Sequence, residues 1–196
     1  MKTNIFSFLI LFAVLMCAPT QSSKAQVKDN VVRLSISNLI FATPTIYYER
    51  ALNEKSTAGL GTFFIGYKVG DSKFSGFSLI PEYRFYPGEN GAPKGFFVGP
   101  FLKYQNYSIS ADAFDEFGSI FKAKATLSGL GGGVVIGNQW LFGDAVSLDV
   151  FIGPSITSFS AKYNGETTSD DIDFGFFNAD GIGVGVRFGI SLGYAF

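Results

Sequence analysis

From Gly181 to Phe196 the chain alternates without interruption. Even positions carry Ile182, Val184, Val186, Phe188, Ile190, Leu192, Tyr194 and Phe196; odd positions carry Gly181, Gly183, Gly185, Arg187, Gly189, Ser191, Gly193 and Ala195. Side chains of a strand point to opposite faces in turn, so this stretch has one unbroken apolar face and one small face with a single cation. Ordinary strands run about five or six residues, and a half-buried soluble strand rarely keeps such a pattern for longer. The alternation fits an inverted arrangement better, with the apolar face towards lipid and the small, polar face towards a barrel lumen.

The same alternation predicts seven more strands, at about 31–40, 43–52, 57–69, 73–86, 95–108, 122–141 and 146–161. Within them Thr45, Tyr47 and Glu49 face away from Ile46, Tyr48 and Leu52, and Ser78, Glu82 and Arg84 away from Phe77, Leu79, Tyr83 and Phe85. Strand 57–69 is irregular: Leu60 and Phe64 share one parity, Phe63, Ile65 and Tyr67 the other, so a bulge or a change of face is expected there. Short turns at 53–56, 87–94 and 142–145 alternate with long polar connections at about 109–121 and 162–178. The expected fold is all-β: an eight-stranded antiparallel up-and-down transmembrane β-barrel, too narrow for a water-filled bore. Aromatic residues fall into two bands, one at the expected periplasmic ends of the strands (Tyr83, Phe85, Phe96, Trp140, Tyr194) and one at the expected external ends (Tyr67, Phe74, Tyr104, Tyr107), as interfacial girdles do.

Four prolines oppose this reading. Pro44, Pro81, Pro100 and Pro154 fall inside the expected strands, on outward parity, and each removes a ladder donor. They imply local breaks in the ladder, or else a weakened wall that admits a lipophilic molecule sideways.

Residues 1–25 read as a cleaved export signal: Lys2, an apolar run from Ile5 to Met16, and small residues at Ser23 and Ala25. Residues 26–196 are then one barrel domain. A lipoprotein acylated at Cys17 is the rival, with the large Met16 against it. Cys17 is the sole cysteine and the chain has no histidine, so the mature domain lacks thiolate ligands and the commonest general base. Without Lys2 and Lys24, 13 of the 15 cations remain against 16 anions, a balance that excludes a nucleic-acid footprint.

Inward parity collects Arg33, Glu49, Glu82, Arg84, Lys103, Asp149 and Arg187 on the lumen face. Buried charges persist when paired, so these predict an interior salt-bridge network, with glycines on the sixth and eighth strands leaving room for long side chains. The functional alternative is a narrow polar pathway. Glu49 and Glu82 have no oriented nucleophile, and cationic neighbours keep them ionised, so no catalytic residue, cofactor or metal site is expected. Asp170, Asp171 and Asp173 lack EF-hand spacing and read as a solvated loop. Phe174, Phe176 and Phe177 beside them form a possible contact loop. The glycine run 129–133 has no lysine at phosphate-loop spacing.

Tyr48-Glu49-Arg50-Ala51-Leu52, Pro81-Glu82-Tyr83-Arg84-Phe85-Tyr86-Pro87, Lys94-Gly95-Phe96-Phe97-Val98-Gly99-Pro100 and the closing Gly189–Phe196 segment resemble a family of small outer-membrane β-barrel proteins of unknown function from Gram-negative bacteria. In size the chain is similar to the OmpA membrane domain, OmpX and OmpW groups. The resemblance implies an outer-membrane location. It also implies that Ile190, Leu192, Tyr194 and Phe196 act as the signal read by the barrel assembly machinery. The expected function is a non-enzymatic, monomeric barrel with a structural or surface-interaction role through its long external loops. The alternatives are a transporter or narrow channel for small or lipophilic solutes, and a secreted lipocalin-like barrel with its apolar face inward.

Overall fold

The computed structural model describes residues 28–40, 43–70, 72–114, 120–143, 145–163, 166–167 and 181–196. The elements are β1 (Asn30–Ser35), α1 (Ile36–Ile40), β2 (Ile46–Asn53), β3 (Ser56–Val69), β4 (Ser72–Phe85), β5 (Gly95–Phe114), β6 (Ile120–Phe142), β7 (Val146–Tyr163), the two-residue β8 (Glu166–Thr167) and β9 (Ile182–Ala195). Consecutive strands from β1 to β7 pair antiparallel, and β9 joins β7 to β1. The result is a closed eight-stranded up-and-down barrel, with β8 a short addition to the free end of β7.

The barrel is inside out. Along β9 the even side chains are exposed and Gly183, Gly189, Ser191 and Ala195 are buried. The same holds on β7, where Val150, Ile152 and Ile156 are exposed while Asp149, Ser155 and Thr157 are buried. Closing a sheet on itself pairs the strands without a second layer, and nothing in the described chain covers the apolar face. Inside, the core has two sides. Ile80, Phe97, Phe101, Val135 and Phe151 pack together on the β4–β7 wall. Arg33, Glu49, Thr57 and Ser191 come from the β1–β3 and β9 wall.

The short-turn end has a floor. Residues 86–94, between β4 and β5, lie across the opening and bond to the β2–β3 turn: Tyr86 N to Lys55 O (2.8 Å) and Ala92 N to Glu54 O (2.7 Å). Tyr86 and Ala92 are buried by this fold-back.

Several expectations change. The first strand ends at Ser35 rather than continuing to Ile40; residues 36–40 are helical. Ser35 Oγ accepts from Asn38 N (3.4 Å) in the manner of a helix cap, and Asn38 Nδ2 donates to Thr45 Oγ1 (2.7 Å). Local side-chain bonds from Ser and Asn compete with the ladder, and here they prevail. β2 therefore starts at Ile46, and Pro44 lies outside any strand. No bulge separates β3 from β4: their register runs unbroken from Ser56 opposite Phe85 to Val69 opposite Ser72. The shift falls on β2, between Ala51 and Asn53. Phe63 simply faces inward with Tyr107 (ring centroids 6.0 Å apart).

The expected polar connection 109–121 is largely strand, because β5 and β6 stay paired to Phe114 and Ile120. Backbone pairing satisfies those groups whatever the side-chain polarity. Pro81, Pro100 and Pro154 do lie in strands. Bridges are missing around them, between Leu79 and Glu82, between Glu82 and Phe85, and between Ser155 and Ile152, but the register on either side is unchanged. The export signal, Cys17, Phe174, Phe176, Phe177 and the acidic residues 170–173 lie outside the described residues.

Candidate functional site: an ion-paired plug in the lumen

Arg33 on β1, Glu49 on β2, Glu82 and Arg84 on β4, and Asp149 on β7 are all buried in the lumen. Each stands on inward parity, opposite an outward apolar neighbour, so alternation alone delivers them to the axis. Arg84 is the hub. Its Nη1 and Nη2 engage Asp149 Oδ1 and Oδ2 at 2.9 and 3.2 Å, and its Nε donates to Glu82 Oε1. Arg33 bridges the other side, with Nη2 2.8 Å from Glu49 Oε2 and Nη1 3.0 Å from Asp149 Oδ2. Arg187 crosses from β9 to Glu82, Nη1 to Oε2 at 2.5 Å. Three arginines thus meet three carboxylates, and the cluster is neutral.

Neutral side chains complete it. Gln139 Oε1 accepts from Arg33 Nη1 (2.6 Å) and Arg84 Nη1 (3.1 Å). Glu49 Oε1 accepts from Thr57 Oγ1 (2.6 Å) and from the Tyr86 hydroxyl (2.8 Å). The flat faces of two guanidiniums rest on rings: Arg84 Cζ lies 3.9 Å from the Phe97 centroid, and Arg187 Cζ 4.3 Å from that of Phe101 and 4.6 Å from that of Phe151. Ring faces attract cations, and the attraction grows when water is excluded.

Glycine makes the space. A Cβ at Gly193 would run into Val32 O and, at 2.9 Å, the Arg33 Cα; one at Gly189 would stand 2.5 Å from Phe151 Cζ. The small face of β9 is therefore the room that Arg33 and Phe151 occupy.

Of the seven lumen charges expected from parity, six join this cluster. Lys103 does not. It is half-buried on β5 and forms no ion pair with any described residue, because its wall neighbour is the bare Gly131 and the carboxylates are spent lower down. Tyr86, Gln139 and Thr57 were missed by a reading that counted charges. Their signal was there: Tyr86 shares parity with Glu82 and Arg84, and Gln139 with the inward glycines of β6.

Replacing Tyr86 by Phe removes one donor from the buried Glu49 carboxylate while keeping the ring on Phe97. Hydrogen bonds to charged groups contribute about 1.5–3 kcal/mol, so a loss near 2 kcal/mol in urea unfolding is expected. An unchanged midpoint would mean that Tyr86 serves only as packing.

Chemically the cluster is a plug. Every carboxylate is held by cations, so the Thr57 and Tyr86 hydroxyls meet a Glu49 already ion-paired to Arg33 rather than a free base, and the described residues contain no metal-ligating group of three or more His, Cys, Asp or Glu. A small cavity of about 10 Å³ touches the plug between Arg33, Tyr47, Glu49, Glu82 and Arg84. That is room for roughly one water. The class is thus an eight-stranded inside-out barrel with a plugged lumen. Residues 7–196 match the family described as protein of unknown function DUF3575, and the chain belongs to that family. A comparison with curated proteins gave no match.

Proposed function

We propose that this protein is a non-enzymatic outer-membrane barrel with a structural or surface-interaction role. The observation that carries the reading is the exposed belt. Val134, Ile136, Val150, Ile152, Val186 and Ile190 lie exposed on adjoining strands, while charges fill the inside. In water such a surface is a large unfavourable area, far above the few hundred Å² a soluble monomer tolerates; in a bilayer it is the required one. Exposed rings border the belt at the short-turn end (Tyr83, Phe85, Phe96, Trp140, Tyr194, Phe196). At the other end Tyr67 stacks on Phe74 (5.1 Å). Both fit an interfacial position.

The plug speaks against axial conduction, and it supports a scaffold over a pore. A tall ribbon supports the contact role: β5 and β6 stay paired to Phe114 and Ile120, beyond the last β4–β5 pair at Lys73 and Ser110. Membrane extraction tests the location. The protein should resist alkaline carbonate and high salt, dissolve only in detergent, and run faster on gels when unheated. Planar-bilayer recordings of the purified barrel should be silent. Release by carbonate would sink the membrane reading; steady unitary currents would sink the non-conducting one.

A further inference from the structure

The barrel wall is not of uniform height. β9 pairs with β1 only from Ser191 to Ala195, but with β7 from Ile182 to Tyr194. β3 pairs with β2 only as far as Thr62, but with β4 to Val69. Among the described residues, positions 182–190 of β9 and 63–69 of β3 have a strand on one side alone. The cause is local: α1 replaces the upper half of β1, and β2 starts late. At about 3.3 Å per residue the two free edges run for roughly 20–30 Å. Between them lies a notch in the wall. Its base is α1, tied to β9 by Ile190 N donating to Ser37 Oγ (3.2 Å).

This notch opens on the lumen above the plug. Among the described residues a Cβ at Gly185, on the inward face of β9, would meet only Ser155 Oγ at 3.5 Å, so the wall there is roomy. Two cationic groups stand at this level, one without an anion and one with a spare donor. Lys103 is the next inward position above Phe101, on which Arg187 rests, and it has no anion among the described residues. Arg187 gives Nη1 to Glu82, while its buried Nη2 has no hydrogen-bond partner among the described residues. Outside, the notch is flanked by strongly exposed apolar side chains, Val184 at 75% and Phe64 at 70%.

We propose that the notch is a binding site for an anionic amphiphile with a single acyl chain. The carboxylate sits between Lys103 and the free Nη2 of Arg187, and the chain leaves the barrel between β9 and β3. A small anion needs no opening in the side wall, and a wholly apolar molecule needs no cation. A partner strand added to either edge would satisfy backbone groups but leave Lys103 unneutralised. On this proposal the sideways opening lies at the short strands, and the prolines keep the reading of local breaks in the ladder.

The test is a titration of the full chain, in a neutral detergent, with dansyl-labelled undecanoate, read by fluorescence and competed with dodecanoate, dodecanol and butyrate. One saturable site is expected, displaced by dodecanoate and by neither dodecanol nor butyrate. Lys103→Gln should weaken it at least tenfold, and Gly185→Trp should abolish it by filling the mouth. Both variants are first checked for folding by circular dichroism and unheated gel mobility. Should Gly185→Trp fail to fold, Lys103→Gln decides alone. No saturable binding, equal competition by dodecanol, or an unchanged Lys103→Gln affinity overturns the proposal. So does a cross-linked dimer formed through cysteines placed at Phe64 and Val184. If the protein proves soluble without detergent, the membrane reading fails while this titration still runs in plain buffer.

Discussion

Arg84→Ala should be the most damaging single change in the lumen, lowering stability by about 3–5 kcal/mol in urea unfolding of the purified barrel. The residue is 2% exposed and touches Glu82, Asp149 and Gln139, with a weaker approach to Glu49 at 3.6 Å. Deleting it leaves three carboxylates facing two arginines at a site that water barely enters. The cost comes less from the lost attraction than from the anionic charge left without compensation. That distinction can be measured. The double variant Arg84→Met with Asp149→Leu removes one charge of each sign and restores apolar volume, so it should recover a large part of the loss seen in Arg84→Met. A strictly additive double variant would mean that the two side chains do not act as a pair.

A second large effect is expected from a glycine. Gly137→Val would place a Cβ against Val150 O, 2.6 Å from Phe97 Cζ and 2.8 Å from Phe151 Cβ. Phe97 and Phe151 are themselves pinned beneath Arg84 and Arg187, so neither ring has anywhere to go. Overpacking of this kind costs about 1–3 kcal/mol, and more when a backbone atom is the obstacle. The expected outcome is a loss at or beyond the top of that range, or failure to reach the fast-migrating folded band. Gly66→Val is the control: it has nothing within 4 Å among the described residues and should change stability by less than about 0.5 kcal/mol. Equal effects at the two positions would remove the steric account of the glycine stripe.

How much of this was legible in the chain follows from what alternation can and cannot encode. Period two assigns each side chain a face, so it placed Glu49, Arg84 and Asp149 inside and Tyr83, Val150 and Phe188 outside. It carries no axial coordinate. Whether two inward charges meet depends on strand tilt and stagger, and so Lys103 was grouped with a cluster that lies below it. Nor does alternation say where pairing stops. Ile36 continues the outward parity of Val32 and Leu34, yet the chain leaves the sheet at Ser35, because Asn38 and Thr45 offer a local set of bonds that parity does not register. In the opposite direction, polar residues beyond Ser108 suggested a loop where the β5–β6 ladder simply continues. Polarity reports on solvent, and a paired ribbon can stand in solvent. The prolines interrupt bridges without moving the register, since a missing donor removes a bond but adds no residue.

The inequality of the strands has one more consequence. β1 spans six residues and β6 twenty-three, so the barrel is a tube cut on a steep slant. A tube of equal strands looks the same from every direction around its axis. This one has a low front, at β1 and β2, and a high back, at β5 and β6. Rotation about the axis therefore changes what a neighbour meets, and any lasting contact must choose an azimuth as well as a depth.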